Sequence, residues 1–177
     1  MARRASSRTS TTFPLVAPVI GGVLAWAVPG AGHWFLGRKV RAVILFVAIT
    51  ALFWSGVAIG GVFTVDPREQ AWWSRAQMCA GLSGVVSYYR QDHRYRMYEA
   101  QVISGPPSGP SLDAAVRAKI ADAGLALVAP ASTLAFVFSG VAGLLNLLCI
   151  MDVVLLGAMG VRGEPPPDED TGQEAAS

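Results

Sequence analysis

The chain of 177 residues is 53% hydrophobic and only 15% charged, with a formal net charge of +2. Ordinary soluble domains carry roughly 25% charged residues, so this composition excludes a disordered chain and argues against a soluble globular one. The fourteen basic residues, twelve Arg and two Lys, form no dense run with interleaved aromatics, which excludes a nucleic-acid groove. No acid precedes Asp66, and five of the twelve acids lie in the last fourteen residues. A single small membrane domain fits these facts.

Residues 1–12 are rich in Arg, Ser and Thr and read as a flexible basic tail. Four apolar runs follow, to be judged against the roughly 20 apolar residues a helix needs to cross a bilayer core. The first, 13–31, is marginal, because Pro14, Pro18 and Pro29 break it and Gly21, Gly22, Gly30 and Gly32 loosen it. Its basic start and the small residues Ala25 and Ala27 also fit a cleaved signal peptide, against which Pro14 and Pro18 count. The second run, 40–65, is long enough to span. The third, 71–89, is weaker, since it carries Ser74, Arg75, Gln77, Ser83 and Ser87.

A polar loop, 90–124, comes next, with the helix-breaking stretch Ile103–Ser111 inside it. The segment after that breaker reads as a short amphipathic helix on the membrane face. The fourth run, Leu125 to Val161, predicts a span over about 130–160, in which Asp152 is the only charge. Residues 162–177, with Pro165, Pro166, Pro167 and a group of acids, read as a disordered acidic tail. The expected fold is therefore all-α: an integral membrane bundle of three to four spans with an N-terminal helical hairpin.

The distribution of Lys and Arg admits two arrangements. Four spans with the N-terminus outside gather Arg38, Lys39, Arg41, Arg90, Arg94, Arg96, Arg117 and Lys119 in the cytoplasm. Three spans with the N-terminus inside gather Arg3, Arg4, Arg8, Arg68 and Arg75 with the group from Arg90 to Lys119. Both place the 90–122 loop in the cytoplasm and the acidic tail outside.

The sharpest local pattern runs from Pro29 to Ala42, PGAGHWFLGRKVRA. Gly30 and Gly32 let the chain turn or approach a neighbouring helix, and Gly37 admits a positive φ. Trp34 and Phe35 suit the headgroup belt, and Arg38, Lys39 and Arg41 suit lipid phosphates. This element resembles that of the two-transmembrane-span domain family, in which a G-x-G, a polar residue, two aromatics and L-G precede a basic turn. The resemblance covers Leu24 to Gly61 and rests on Gly30, Gly32, His33, Trp34, Phe35, Leu36, Gly37 and Arg38. It implies a hairpin of two helices in a small, multi-pass bacterial inner-membrane protein of unknown function. Family members often carry an aspartate in the second span, which this chain lacks, having Asp152 in its last run instead.

His33 is a candidate ligand for a haem or pigment, weighed against an interfacial histidine bonded to a backbone carbonyl. His93, within Tyr88 to Tyr98, reads as part of an interfacial anchor rather than an acid–base cluster. Asp152 is an ionisable group in an apolar helix and so a functional candidate, with Arg38 or Lys39 as its expected partner. Asn146, six residues earlier and about 120° around the helix, is expected to bond across to another span. Gly56 with Gly60, Ala76 with Ala80 and Gly84, and Ser139 with Gly143 are spaced for close helix packing. Cys79 and Cys149 are expected as free thiols.

No hydrolase, zinc-protease, phosphate-loop or dinucleotide fingerprint occurs. The expectation is thus a non-enzymatic membrane protein with no cofactor, in contact with the bilayer and with anionic headgroups. A homo-oligomer or a membrane-complex partner is compatible with the small-residue stripes. The alternatives are an accessory scaffold subunit of a larger complex and a small transporter or channel component centred on Asp152.

Overall fold

The computed structural model describes residues 16–65, 67–68, 71–105, 111–125 and 131–163. The expected basic tail 1–12 and the acidic tail from 164 onward lie outside them. All regular structure among the described residues is helical. In chain order the helices are α1 (Val16–Ala27), α2 (Ala31–Phe35), α3 (Lys39–Gly60), α4 (Ala71–Met78), α5 (Leu82–Ile103), α6 (Leu112–Asp122) and α7 (Ala131–Ala158). A 3₁₀ turn, Gly61–Thr64, follows α3.

The two longest apolar helices, α3 and α7, form an antiparallel pair. Arg41 at the start of α3 meets Asp152 near the end of α7. At the other end, a Cβ on Gly56 would lie 2.7 Å from Ala135 O and 2.8 Å from Ser139 N. Only glycine lets the two backbones meet there. With 22 residues, α3 is about 33 Å long, and with 28 α7 is about 42 Å. Both exceed the roughly 30 Å of a hydrocarbon core.

The first and third apolar runs do not form long helices. In the first, α1 has 12 residues, about 18 Å. It lies along the C-terminal half of α7, with Pro18 beside Gly157, Gly21 beside Val153 and Trp26 at Asn146. The chain then turns at Gly30 and comes back as α2, so that Gly32 returns to Val153 and Leu36 O accepts from Gly163 N. Within the run expected as a span, 13–31, the described residues 16–31 thus form the first arm of a hairpin that reaches only the middle of α7.

The third run is broken in the same way. Helix α4 follows the N-terminal half of α7, with Trp73 against Gly140 and Ala76 against Gly143, and stops at Met78. Gly81, at φ 70°, reverses the chain, and Gly84 passes against Gln77 and Met78 on the way back. Residues 71–89 are therefore two helix arms, and α5 continues to Ile103 through the first part of the expected polar loop. The break after Ile103 and the following helix α6, capped by Ser111 accepting from Ala114 N, match the expected pattern.

Three apolar clusters hold these parts. Ile49, Phe53, Val65, Ala80, Ala142 and Cys149 form the central one. Ala25, Leu36, Val153 and Leu156 join the first hairpin to α7. Phe63, Tyr95, Val116 and Ile120 join α5 and α6 to the turn after α3. Cys79 and Cys149 are free thiols. Because α3 separates them, Arg38, Lys39 and Arg41 stand at one end of the molecule and α5–α6 at the other.

The Gly56 contact is against backbone, which cannot yield. Gly56→Ala is expected to lower stability in detergent by about 1–3 kcal/mol, read as a lower midpoint in thermal unfolding.

Candidate functional site

Two polar constellations lie inside the apolar bundle. The first is built by the α1–α2 hairpin. Gly30 adopts φ 82°, and a Cβ there would overlap Ala42 O. A Cβ on Gly32 would lie 2.5 Å from Gly21 O and 2.8 Å from Val153 Cγ1. These two glycines seat α2 against α1, α3 and α7, and so carry His33 into the interior, where it is fully buried.

His33 Nε2 lies 2.9 Å from Asp152 Oδ2. Arg41 Nη1 donates to the same oxygen at 3.3 Å. With the carboxylate ionised, Nε2–H is the donor, which leaves Nδ1 as the second ring position. Nδ1 is buried and has no hydrogen-bond partner among the described residues. Asp152 itself is half exposed, so the cluster sits at the boundary of the bundle. A buried imidazole thus clamps the hairpin to α7 through a carboxylate that a guanidinium also holds.

This corrects two expectations. The expected partner of Asp152 was Arg38 or Lys39. Lys39 and Arg41 are about 200° apart around α3, and it is Arg41 that faces α7. Lys39 instead lies 6.0 Å from the Trp34 ring centroid, and Arg38 is the residue preceding α3. His33 bonds a carboxylate, not a backbone carbonyl. Nε2 faces Asp152, and Nδ1 is buried with no hydrogen-bond partner among the described residues. No group of three or more His, Cys, Asp or Glu among the described residues is placed to hold a metal.

The second constellation is Asn146, wholly buried on α7. Its Nδ2 donates to Cys79 O at 2.9 Å and to Trp26 O at 3.5 Å. Trp26 lies at the end of α1 and Cys79 just past the end of α4, so one amide joins the tips of both hairpins. Gly81 lies directly against Trp26 O, where a Cβ would overlap that oxygen. Two residues before Cys79, Gln77 donates to Thr64 O at 3.0 Å and to Ser139 Oγ at 2.7 Å, about two turns from Asn146 on α7. Asn146 bonds across to other elements, as its place in the sequence suggested, and the two bonds go to backbone.

The remaining candidates divide. Gly37 takes φ 84° at the turn into α3. Trp34 and Phe35 lie half exposed on the outer face of α2. Gly60 is buried at the end of α3. Gly81 was not singled out by the sequence, Gln77 was read only as a polar residue weakening the third run, and Arg41 only as a contact for lipid phosphate. Each of His33 and Asp152 was singled out, but nothing in the sequence pairs two groups 119 positions apart.

At the far end, α6 is tied to α5 by polar contacts. Tyr95 OH donates to Asp113 Oδ1 at 2.6 Å, and the Arg68 guanidinium lies 3.9 Å above the Tyr95 ring. Asp92 accepts from Arg96 at 2.8 Å and from Arg68 at 3.2 Å. Burial, then the carboxylate of Asp113, push the Tyr95 phenol up to about 12. The Tyr95 hydroxyl and Arg117 hold Asp113 below the usual carboxylate range. His93 stacks on Tyr89 at 6.5 Å.

Compared with known proteins, residues 20–164 match the model of a family of unknown function, DUF6677. The chain belongs to that family. The match takes in both hairpins, His33, Asn146 and Asp152, and extends far beyond the Leu24–Gly61 segment that resembles two-span proteins. No curated protein and no solved structure matches the chain.

Two outcomes are expected. Asn146→Leu keeps the branched shape, with a larger volume, but leaves Cys79 O without its donor, at a cost of about 1–3 kcal/mol; thermal unfolding in detergent measures it. The α5–α6 link has two pH limits. Asp113, depressed in the fold, stabilises above its unfolded pKa and loses that contribution as pH falls through its folded value, below the ordinary 3.8. Tyr95, raised in the fold, stabilises below 10 and loses that contribution as pH rises from there toward 12. Protection of the α6 amides from hydrogen exchange should therefore fall at both extremes, and Tyr95→Phe should remove the alkaline limb.

Proposed function

We propose that this chain is a multi-pass membrane protein with a structural or interaction role and no catalytic activity, placed in a bacterial inner membrane. The observation that carries this is the outer surface of α3 and α7. On α3, Val40 is 62% exposed and Ile44 61%, and on α7 Leu148 is 65% exposed. A soluble protein hides such helices in its core, and an apolar surface of this extent needs a lipid or protein cover. In a bilayer α3 and α7 would be the two full spans. The α1–α2 and α4–α5 hairpins would enter from opposite sides and meet at mid-depth, where Asn146 joins them.

Backbone turns at that depth are tolerated only when buried in protein. The tips here meet that condition, with Ala25, Gly30, Ala80 and Gly81 buried. The structural reading is favoured by the use of three buried polar side chains. His33, Asn146 and Gln77 all hold one helix to another, and no serine or cysteine approaches His33 Nδ1.

A second reading, a small transporter or channel component, has a specific observation behind it. Half-depth helices whose carbonyl ends meet near the middle of a membrane are a recurring feature of ion-coupled transporters. The His33–Asp152 pair would be its proton-handling group.

Two experiments separate these. Alkaline carbonate treatment of membranes should leave the chain in the pellet; release into the supernatant would end the membrane reading. In proteoliposomes, Asp152→Asn should leave proton and ion flux at the background of empty vesicles, as should the unaltered chain. A flux present in the unaltered chain and lost in the variant would establish the transporter reading instead. Purification at low stringency with mass spectrometry of what copurifies tests the scaffold version, for which a stoichiometric protein partner is the expected result.

A further inference from the structure

The first hairpin leaves part of α3 uncovered. Because α1 and α2 reach only half the length of α7, the first two turns of α3 face an open groove of about 440 Å³. Its walls include Leu24 and Val28 from α1 and the turn after it, Trp34 and Phe35 from α2, and Val43 and Phe46 from α3. Every side chain lining it is apolar. The volume falls within the roughly 300–1,000 Å³ of small-ligand clefts.

The groove has a charged mouth. Lys39, Val43 and Phe46 lie on one stripe of α3, spaced by about one helical turn each. Lys39 is therefore at the outer end of the groove and Phe46 about 10 Å further in. The Lys39 ammonium stands 6.0 Å from the ring of Trp34, itself a groove wall. Arg38, the preceding residue, has a buried Nε with no hydrogen-bond partner among the described residues. Arg41, by contrast, points the other way and is committed to Asp152. No acid occurs in the first 65 residues, and the one described acid that reaches this end, Asp152, is taken by Arg41 and His33.

We propose that this groove binds one anionic phospholipid, its phosphate against Lys39 and Arg38 and one acyl chain between Trp34, Val43 and Phe46. The proposal rests on the membrane reading above and goes beyond it. An apolar slot whose Trp34 wall carries the Lys39 ammonium, with Arg38 the preceding residue, matches the two parts of such a lipid, a charged head and an apolar tail. A second copy of the chain would have to bring a helix carrying an acid to this mouth. Of the described acids of this chain, those on α5 and α6 lie at the other end, and Asp152 is held by Arg41 and His33.

The test is native mass spectrometry of the full chain released from nanodiscs of equimolar phosphatidylglycerol and phosphatidylcholine. The unaltered chain should retain one phosphatidylglycerol in preference to phosphatidylcholine. Lys39→Glu should lower that preference about tenfold. Val43→Trp fills the slot from a half-exposed position, and should lower retention of both lipids alike. Each variant should keep the thermal midpoint of the unaltered chain, showing that the fold persists. If Lys39→Glu leaves the preference intact, or Val43→Trp leaves retention intact, the groove is not the binding site. A chain that carbonate releases from membranes overturns the membrane reading and this one together. A chain that stays in the membrane but retains no lipid preferentially overturns this one alone.

Discussion

The whole arrangement depends on the side-chain amide of Asn146. Two helices that stop in the middle of an apolar bundle end in carbonyls with no helical partner. Left unpaired there, each such group costs free energy comparable to a lost hydrogen bond, and more in lipid than in water. Asn146 is wholly buried on α7 at the level where both helices stop, and its Nδ2 reaches Cys79 O and Trp26 O. One donor group thus serves two chain reversals that approach from opposite ends. Gln77 supports the second reversal by bonding Thr64 O and Ser139 Oγ.

Glycine makes that meeting sterically feasible. Gly81 lets the second tip touch Trp26 O, Gly32 seats the first hairpin on α7, and Gly56 brings α3 onto α7. Polar groups and glycines therefore act together: the glycines bring backbones close, and the buried side chains then satisfy the carbonyls exposed by the turns. The His33–Asp152–Arg41 clamp belongs to the same scheme at the outer end. It fixes the return arm of the first hairpin to α7 with a charge-assisted bond, where Asp152 still reaches the surface. Because that hairpin stops short, α3 is left open beside Lys39, which is what creates the groove.

Much of this was legible in the sequence. The long runs around α3 and α7, the turn at Gly37, the break after Ile103, helix α6 and the cross-helix role of Asn146 all follow from composition and local chemistry. What misled was run length. Residues 13–31 and 71–89 are apolar enough to suggest spans, yet each holds a chain reversal, at Gly30 and at Gly81. Pro29–Gly30 was visible as a breaker. The Gly81 reversal sits in CAGLSG, where small residues are equally suited to packing inside one helix. Hydropathy measures a segment's total apolar content and is blind to such a reversal. The pairing of His33 with Asp152, 119 positions apart, required the hairpin to be folded back before either residue had a neighbour. Arg41 became the cation of choice only once the start of α3 fixed which way each basic side chain points.

The central claim is that both short hairpins return to the side from which they enter. Cysteine labelling from each side of sealed vesicles tests it directly. In a background with Cys79 and Cys149 replaced by alanine, single cysteines at Val16, Lys39, Ala71 and Ser104 would be treated with a membrane-impermeant maleimide. The expected result is that Val16→Cys and Lys39→Cys react from one side, and Ala71→Cys and Ser104→Cys react from the other. If Val16→Cys and Lys39→Cys label from opposite sides, α1 crosses the bilayer and the account of two tips meeting at Asn146 is wrong.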